Sequence, residues 1–384
     1  MQNIYITSIS SISALGVDSQ SIWEQYLNKN HLFSRSDSLD SNWVCSLEQT
    51  AKDVILNLKK SDLKYKNLDD SVLFAIAASR GAIAKTGWNN DHKFGINVGS
   101  SRGATTLFEK HHKDFLDSGK AQTLASPTTT LGNISSWVSH DLQSDGPEIS
   151  HSVTCSTSLH AMLNGIAWLR AGMAKRFLVG GSEAPLTLFT IAQMQAMKIY
   201  ANNDFDYPCR ALDFEKTKNT MILGEAAAIC CLETERANHA IAKIDGVGYA
   251  TELLAHNTSI SAEATCFQKS MTMALENQNS ETIDAVVMHA PGTIKGDLAE
   301  FNAIQKIFKN KMPLLTTNKW KIGHTFGASG LMSVEFAILM LQNQTFVGTP
   351  FHDNFVQKTI LKKIMVNSVG FGGNAVSVVI ALPD

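Results

Sequence analysis

The sequence has 384 residues, of which 44% are apolar and 18% are charged, as expected for a globular protein with a large buried core and enough chain for two or three domains. The 33 lysine and arginine residues nearly balance the 35 aspartate and glutamate residues, so the chain lacks the basic excess of a nucleic-acid-binding protein. No run approaches the roughly 18 consecutive apolar residues of a membrane span, and the composition also excludes disorder, collagen and coiled coil.

Short β-branched runs alternate with longer helical patterns, which predicts an α/β protein with buried sheets. In chain order, strands are predicted at residues 3–9, 94–99, 176–180, 226–232, 285–289, 363–368 and 375–381. Apolar residues at three- and four-residue spacing predict helices at residues 70–86, 156–171, 297–308 and 329–341. The polar and aromatic residues 202–214 lack this periodicity, and we expect them to form a surface loop that shapes a site.

The beginning of the sequence and the cysteines indicate a cellular compartment. The first residues, MQNIYITSISSISALG, have no basic region of the kind that opens a secretory signal. The six cysteines show neither Cys-x-x-Cys nor histidine-pair spacing, which disfavours a zinc site and a disulfide scaffold. We therefore expect a cytoplasmic protein with mostly buried thiols and no bound metal.

Three pairs of segments echo each other in the same order along the chain. They are residues 4–15 with 242–253, residues 94–103 with 286–295, and residues 154–169 with 324–339. Since one match arises easily by chance and three in order do not, the sequence predicts a duplicated α/β unit that divides near residues 234–240.

Cys155 has the clearest chemical signal. In SHSVTCSTSLHAM it follows a short β-like run and directly precedes a predicted helix. The positive end of the helix dipole and free backbone N–H groups there would favour a thiolate nucleophile and could hold an oxyanion. A buried structural cysteine is the alternative, and spacing alone does not decide between the two.

The segment TCSTSLHAM resembles the nucleophile motif ACSSSLHAL of the β-ketoacyl-(acyl-carrier-protein) synthases, a family of the thiolase-like superfamily. Further family motifs are matched in the right order by FLVGGSEA, PCRALDFEK with LGEAAAICCLE, GHTFGASG and NSVGFGGNA. The resemblance covers essentially the whole chain. It implies the thiolase-like fold, in which two duplicated α/β halves form a five-layered α-β-α-β-α core. Residues 1–237 would be the half with the nucleophilic cysteine, and residues 238–384 the half with the histidine, lysine and GFGG elements.

The resemblance also implies roles for individual residues, each of which would otherwise pass for an ordinary structural residue. Cys155 would take an acyl group from the phosphopantetheine thioester of an acyl carrier protein, which supplies the arm, so no other cofactor is expected. His324 would be a neutral hydrogen-bond donor to the thioester oxygen, and a buried Lys319 would support the decarboxylation of a malonyl thioester. Phe371 would gate the site and complete an oxyanion hole with the backbone N–H of Cys155. The remaining expected substrate-binding residues are Thr293, Gly372 and Gly373.

The sequence departs from the family at its second active-site histidine. The family motif AHGTxT corresponds to HAPGTIK here, so Pro291 stands where that histidine belongs. Proline has neither an N–H nor a titratable group and cannot polarise a carbonyl. His289, two residues earlier on a predicted strand, could substitute through a shifted pose or a water. We favour the alternative, a strand-end histidine that is satisfied locally.

Two more departures lie nearby. Ser333 replaces a family glutamate, with Glu335 two residues later and expected to face elsewhere, and Lys295 replaces the second threonine of the HGTxT motif. All three changes affect the binding and decarboxylation of the extender, and none affects acyl transfer at Cys155. We therefore expect slow or absent decarboxylation by the protein alone.

Two functions remain open. One is a working ketosynthase of altered geometry in fatty-acid, polyketide or polyene biosynthesis. The other is a non-condensing acyltransferase or a structural partner of a complete ketosynthase. A degradative thiolase is disfavoured because the last cysteine is Cys266.

The expected partners are an acyl carrier protein and an identical or related ketosynthase subunit, with neither nucleic acid nor membrane. The resemblance places the subunit contact at the strand before Cys155 and at residues 127–140. Apolar candidates for an acyl pocket, which could equally be ordinary core, are Phe189, Met194, Met197 and Tyr200.

Overall fold

The computed structural model describes residues 2–88, 93–235, 239–253, 260–276, 278–353 and 355–383. The strands are β1 Ile4–Ser13, β2 Ser34–Ser36, β3 Asn42–Cys45, β4 Gly95–Gly99, β5 Glu148–Ile149, β6 Arg176–Glu183, β7 Leu223–Gly224, β8 Ala226–Glu233, β9 Ala242–Thr251, β10 Ala285–Val287, β11 Leu314–Thr316, β12 Thr345–Val347, β13 Val356–Lys358, β14 Lys363–Gly370 and β15 Asn374–Ala381. The α-helices are α1 Ser19–Leu27, α2 Gln49–Ser61, α3 Asp70–Ile83, α4 Thr105–Ser118, α5 Ala125–Thr129, α6 Asn133–Leu142, α7 Thr157–Arg170, α8 Leu188–Ala196, α9 Thr265–Ala274, α10 Ile294–Ile307, α11 Lys319–Ile322 and α12 Ser329–Asn343.

Each strand and helix predicted from the sequence is present, with shifted ends. Two of the shifts matter for the site. Strand β10 stops at Val287, so His289 lies beyond the strand rather than on it as predicted. Helix α10 begins at Ile294 instead of residue 297, because the Thr293 side chain accepts a hydrogen bond from Gly296 N and caps the helix earlier. Residues 202–214 contain neither helix nor strand, as predicted.

Ten strands form one sheet in the order β11-β10-β14-β15-β9-β1-β8-β6-β4-β5. Outward from its centre, β1, β8, β6, β4 and β5 pair antiparallel twice and then parallel twice. Strands β9, β15, β14, β10 and β11 repeat the same pattern on the other side. The three echoing segment pairs fall on β1 and β9, on β4 and β10, and on α7 and α12. The predicted duplication is therefore confirmed in the topology.

The two halves of the sheet meet where β1 pairs antiparallel with β9, from Ile4 opposite Ile244 to Ile6 opposite Ala242. Helices α7 and α12 pack against each other and against strands of both halves, so they form a central layer. Helix α12 is accordingly buried from Ser329 to Leu341. Helices α3 and α6 cover the outer face of the first half, while α9 and α10 cover that of the second. This is the predicted five-layered α-β-α-β-α arrangement.

The predicted domain boundary at residues 237 and 238 falls on residues 236–238, which lie outside the described residues. The described elements on either side are β8, which ends at Glu233, and β9, which begins at Ala242. The division at that point stays a prediction. Within the described ranges, no helix has the length and apolar character that a membrane crossing requires.

Candidate active site

Cys155 lies in a tight turn at the start of α7. Thr154, just before it, has a positive φ of 49°, and Thr157 Oγ1 closes the turn by donating to Thr154 O at 2.6 Å and accepting from Val153 N at 2.9 Å. The hairpin between β14 and β15 presses against this turn at Gly370. A Cβ atom there would lie 2.1 Å from Thr154 Oγ1, so only glycine permits the approach.

The Cys155 side chain is 5% exposed and belongs to an apolar cluster. The other members are Val44, Ile191, Met194, Tyr200, Met221, Leu223 and Phe326, with Met197 packed at the edge. Of the four predicted acyl-pocket residues, Met194 and Tyr200 therefore belong to the same cluster as the thiol, and Met197 packs against it. Phe189, the fourth, is 58% exposed and lies outside the cluster.

Burial dominates the electrostatics of this cysteine. Together with the Glu183 carboxylate it raises the pKa of the Cys155 thiol to about 12, against the opposing charges of Lys319 and Arg102. The prediction that the turn favours a thiolate is therefore wrong. At this degree of burial the loss of hydration of the charge outweighs the favourable helix end.

His324 comes from the equivalent position of the second half, before α12. Its backbone N donates to Ile222 O at 2.7 Å, and its O accepts from Gly224 N at 3.1 Å, so it is fastened to the strand-like segment around Leu223. Gly323 makes the turn with a φ of 71°. The His324 side chain is 2% exposed, and its ring centroid is 5.5 Å from that of Phe326, which also packs in the Cys155 cluster.

His289 is directed into the same space by a carboxylate that the sequence did not single out for this role. The backbone N–H groups of His289 and Ala290 donate to the two oxygens of Glu300 at 3.0 and 2.9 Å, and Asn367 Nδ2 adds a third hydrogen bond. As a result the His289 and His324 rings meet edge to face, with centroids 5.2 Å apart and planes at 81°.

The favoured interpretation of His289 as a locally satisfied histidine is not supported by this geometry. Its Nδ1 atom is buried and has no hydrogen-bond partner among the described residues, and the same is true of His324 Nδ1. Since the chain turns after Val287, the strand spacing that would have separated His289 from the site does not apply.

Both imidazoles are neutral. Burial, assisted by the positive charge of Lys319, holds the pKa of His289 and the pKa of His324 well below their usual range. Lys319 itself is 1% exposed and is therefore not a solvated surface charge. Burial lowers the pKa of Lys319 to about 8, with Glu300 and Asp297 opposing. At neutral pH the site thus combines two neutral imidazoles with one buried cation.

Glu300 is the first of the acids that act on Lys319, and Glu335 is not among them. Glu335 is buried on α12 and accepts a hydrogen bond from Ser11 Oγ of β1 at 2.6 Å, so it faces away from the site as predicted. Ser333 Oγ is buried and has no hydrogen-bond partner in the described part of the chain. Burial raises the pKa of Glu300 to about 7, although its three N–H donors oppose this.

The turn that contains Pro291 is fixed by hydrogen bonds of its neighbour Gly292. Gly292 N donates to Asp297 Oδ1 at 3.0 Å, and Gly292 O accepts from Thr220 N at 2.9 Å. Asp297 forms a buried ion pair with Lys216 at 2.8 Å. The Thr293 hydroxyl is engaged as the cap of α10. Lys295, on the first turn of that helix, is exposed.

Phe371, Gly372 and Gly373 form the turn between β14 and β15, beside the nucleophile. Ser368 Oγ donates to Cys155 O at 3.2 Å, and Thr154 Oγ1 donates to Phe371 O at 3.5 Å. Gly372 and Gly373 have φ values of 97° and 71°, and Phe371 is 38% exposed. An aromatic ring at the surface over the thiol turn fits a gate better than a core position. The gating and oxyanion roles stay predictions.

Two residues at the thiol escaped the sequence analysis. Glu183, at the end of β6, accepts hydrogen bonds through Oε1 from Ser101 N and from Gly327 N, and so ties the loop after β4 to the His324 segment. Arg102, in that loop, donates to Gln193 and lies 5.9 Å from the centre of the Phe326 ring. Glu183 stands in FLVGGSEA and Arg102 in FGINVGSSRG, both of which were recognised, but neither pattern indicates that a charge faces the thiol.

Residues 202–214 line part of a cavity, and Cys155 is not among the residues of that cavity. The cavity has a volume of about 590 Å³ and is lined by Asp204, Phe205, Asp206, Tyr207, Arg210, Asp213, Glu215, Pro350 and Phe351. In the part of the chain that the structure describes, no three histidine, cysteine or acidic residues are grouped as metal ligands.

Comparison with known proteins covers nearly the whole chain. The family described as "Beta-ketoacyl synthase, N-terminal domain" matches residues 1–238, and "Beta-ketoacyl synthase, C-terminal domain" matches residues 241–351. Among curated relatives, 3-oxoacyl-[acyl-carrier-protein] synthase 2 of Staphylococcus aureus (strain COL) is 27% identical over 406 aligned positions, which cover 98% of each protein.

Solved structures agree on the fold. A β-ketoacyl synthase from Burkholderia phymatum STM815 superposes with a TM-score of 0.88 at 21% identity, and covers 100% of both chains. The ishigamide ketosynthase/chain length factor superposes with a TM-score of 0.85 at 18% identity, again over 100% of both chains.

Proposed function

The chain belongs to the β-ketoacyl synthase family, and from this premise we propose that it is a ketosynthase-type acyltransferase in fatty-acid, polyketide or polyene biosynthesis. In this proposal Cys155 carries the acyl group, and His289 takes the place of the family histidine that Pro291 replaces. The observation that carries the proposal is the edge-to-face pair of His289 and His324, 5.2 Å apart. Burial and the positive charge of Lys319 lower the pKa of both rings. The His324 ring also packs against Phe326, which belongs to the Cys155 cluster.

Acyl transfer is the first step. Cys155 Sγ attacks the thioester carbonyl of an acyl group carried on a phosphopantetheine arm. The thiol proton leaves as the C–S bond forms, and the arm departs as a thiol, so one thioester is exchanged for another. Because the pKa of Cys155 is about 12, the proton has to leave during the attack, and a neutral imidazole can relay it through its acceptor and donor nitrogens. The arm belongs to the acyl carrier protein, so the protein needs no cofactor of its own.

Condensation is the second step. A malonyl thioester loses carbon dioxide, and the electron pair of the broken C–C bond passes into an enolate whose oxygen needs hydrogen-bond donors. The enolate carbon then attacks the acyl-cysteine carbonyl, the C–S bond breaks with its electron pair on sulfur, and the released Cys155 thiolate takes up a proton from solvent by way of an imidazole. Two neutral imidazoles can each donate one N–H to that oxygen, and a protonated Lys319 favours the developing negative charge. His289 supports this step because its ring faces His324 while Pro291 has no donor.

Acylation is tested by intact-mass spectrometry after incubation with hexanoyl-acyl carrier protein. We expect one acyl adduct on the wild type, none on Cys155→Ala, and an unchanged adduct on the control Cys266→Ala, whose thiol is buried on α9 in the core of the second half. A wild-type protein that gains no mass, or a Cys155→Ala variant that gains it, contradicts the proposal.

A non-condensing role is the second candidate, favoured by the loss of a donor at Pro291 and of a carboxylate at Ser333. Protein that is acylated on Cys155 yet releases no carbon dioxide from malonyl-acyl carrier protein would establish it.

A second subunit of ketosynthase type is the proposed partner besides the carrier protein. Strand β5, just before the nucleophile turn, ends the ten-stranded sheet and leaves an edge without a strand partner among the described residues. Large apolar side chains on α4 and α8 are exposed, with Phe108 at 60%, Leu116 at 68% and Phe189 at 58%. Light scattering of the purified protein tests this. A dimer mass supports self-association, and a monomer that pairs only with a co-expressed ketosynthase supports a heterodimer.

We also propose a cytoplasmic location, where the six free cysteines would stay reduced.

A further inference from the structure

Arg102 brings a cation to the wall of the space around the Cys155 thiol. Its guanidinium lies over the Phe326 ring at 5.9 Å, and Phe326 packs in the same cluster as the thiol. Arg102 also donates to Gln193 of α8, between Ile191 and Met194 of that cluster. Its positive charge opposes the rise in the pKa of both Cys155 and Glu183, so it lies within electrostatic reach of both groups.

The donors of this arginine are only partly used. Within the described ranges, the buried Arg102 Nε has no hydrogen-bond partner and the guanidinium forms no ion pair. Gln193 is a neutral partner. Glu183 accepts hydrogen bonds from two backbone N–H groups through Oε1, and its buried Oε2 has no hydrogen-bond partner among the described residues, so Arg102 does not donate to this carboxylate. A guanidinium next to apolar side chains with a free N–H is costly unless an acceptor arrives, and a carboxylate matches its fork of donors best.

We propose that Arg102 binds a carboxylate at the far end of the acyl group, so that the preferred acyl donor is a short dicarboxylic monothioester rather than a simple fatty acyl thioester. This inference rests on the proposed acylation of Cys155. The thioester end reacts with the thiol, the methylene groups lie along Ile191 and Met194, and the terminal carboxylate accepts hydrogen bonds from the guanidinium.

The test uses matched probes that differ only in charge. Succinyl-, glutaryl- and adipoyl-pantetheine are each compared with the corresponding monomethyl ester, and the rate of Cys155 acylation is followed by intact mass. We expect the wild type to react with at least one dicarboxylic probe about tenfold faster than with its ester. Arg102→Met should lose or reverse this preference, and Arg102→Lys should retain part of it. The exposed Arg170→Met, at the end of α7, is the matched control.

Each outcome decides. Equal rates for the acid and ester probes in the wild type, or an unchanged preference in Arg102→Met, overturn the inference and leave the proposed function standing. If Arg102→Met changes only the KM for malonyl-acyl carrier protein, the carboxylate partner is the extender and the inference is wrong. If no probe and no acyl carrier protein acylates Cys155, the proposed function fails as well. Should Arg102→Met not fold, Arg102→Lys and Arg102→Gln give the same comparison.

Discussion

The two halves of the molecule have the same strand order but bring opposite chemistry to the site. In the first half, the turn before α7 supplies Cys155, and the loop after β4 supplies Arg102. In the second half, the equivalent turn before α12 supplies His324, and the equivalent loop after β10 supplies His289. In the proposed mechanism, one half therefore supplies the nucleophile and the other supplies the hydrogen-bond donors.

The comparison also separates what is kept from what is changed. By the motif resemblance, the thiol turn keeps the family pattern, whereas the three predicted departures, Pro291, Ser333 and Lys295, all lie in the second half. Yet the second half still presents two imidazoles, because Glu300 holds the turn in which His289 stands. Acyl transfer and decarboxylation should thus respond separately to substitutions in the two halves.

The largest expected effect comes from removing an imidazole. His289→Ala and His324→Ala should each lower carbon dioxide release from malonyl-acyl carrier protein by about 100- to 1000-fold, since each removes a donor to the enolate oxygen. Acylation of Cys155 should fall much less in His289→Ala. Radiolabelled carbon dioxide release and intact mass give the two readouts.

The exposed His239→Ala is the control for these variants and should behave as the wild type. Normal carbon dioxide release by His289→Ala, combined with its loss in His324→Ala, would show that His289 is not the replacement.

The next effect concerns pH. The pKa of Lys319 is lowered to about 8, so the side chain is a cation below that pH and neutral above it. Carbon dioxide release should therefore decline as the pH rises through about 8, by roughly tenfold per unit once Lys319 is mostly neutral. Lys319→Met should be slow throughout and lack this decline. A wild-type rate that stays level from pH 7 to pH 9.5 would remove Lys319 from the mechanism.

A smaller effect is expected when the family histidine is restored. In wild type, Pro291→His should change carbon dioxide release by no more than about threefold, because His289 already lies against His324. In a His289→Ala background, the same substitution should raise the rate about tenfold. Equal effects in both backgrounds would show that the two positions act independently.

The smallest effect is on stability. Burial raises the pKa of Glu335 to about 7 from 4.5, so its contribution to stability is complete below about pH 4.5 and is lost as the pH rises through 7. Glu335→Gln removes this loss. Its melting temperature relative to wild type should therefore rise between pH 5 and pH 8, by the equivalent of about 2 to 3 kcal/mol, since each unit of pKa difference corresponds to about 1.4 kcal/mol. The exposed Glu276→Gln should show no such trend, and a Glu335→Gln difference that stays constant with pH contradicts the assignment.

The sequence predicted the elements and the duplication well, because both follow from local periodicity and from motifs that recur in order. It also located Cys155, His324 and Lys319 through contiguous motifs. It was wrong about the thiol's charge, since the helix end is visible in the sequence but the burial of Cys155 by Met194, Tyr200 and other distant residues is not.

The position of His289 was hidden for a related reason. Its direction depends on where β10 ends and on two hydrogen bonds to Glu300, eleven residues along the chain from His289. Arg102 and Glu183 were recognisable only as parts of motifs. Their relation to the thiol arises from the packing of β4, β6 and the His324 segment, which no single stretch of sequence records.

The pairing of the first strand has a consequence for biosynthesis. Tyr5 pairs with Glu233 of β8, and Ile4 pairs with Ile244 of β9. During synthesis, β1 therefore has no strand to pair with until well over half of the chain has left the ribosome. During that interval a ten-residue strand, with four isoleucines that are buried in the folded protein, is exposed to chaperones and to other nascent chains. A chain break between β8 and β9 would keep β1 and its neighbour β8 in the same fragment. The second fragment could then pair through β9 with the other edge of β1. This connection is therefore the place to attempt complementation from two separately expressed fragments.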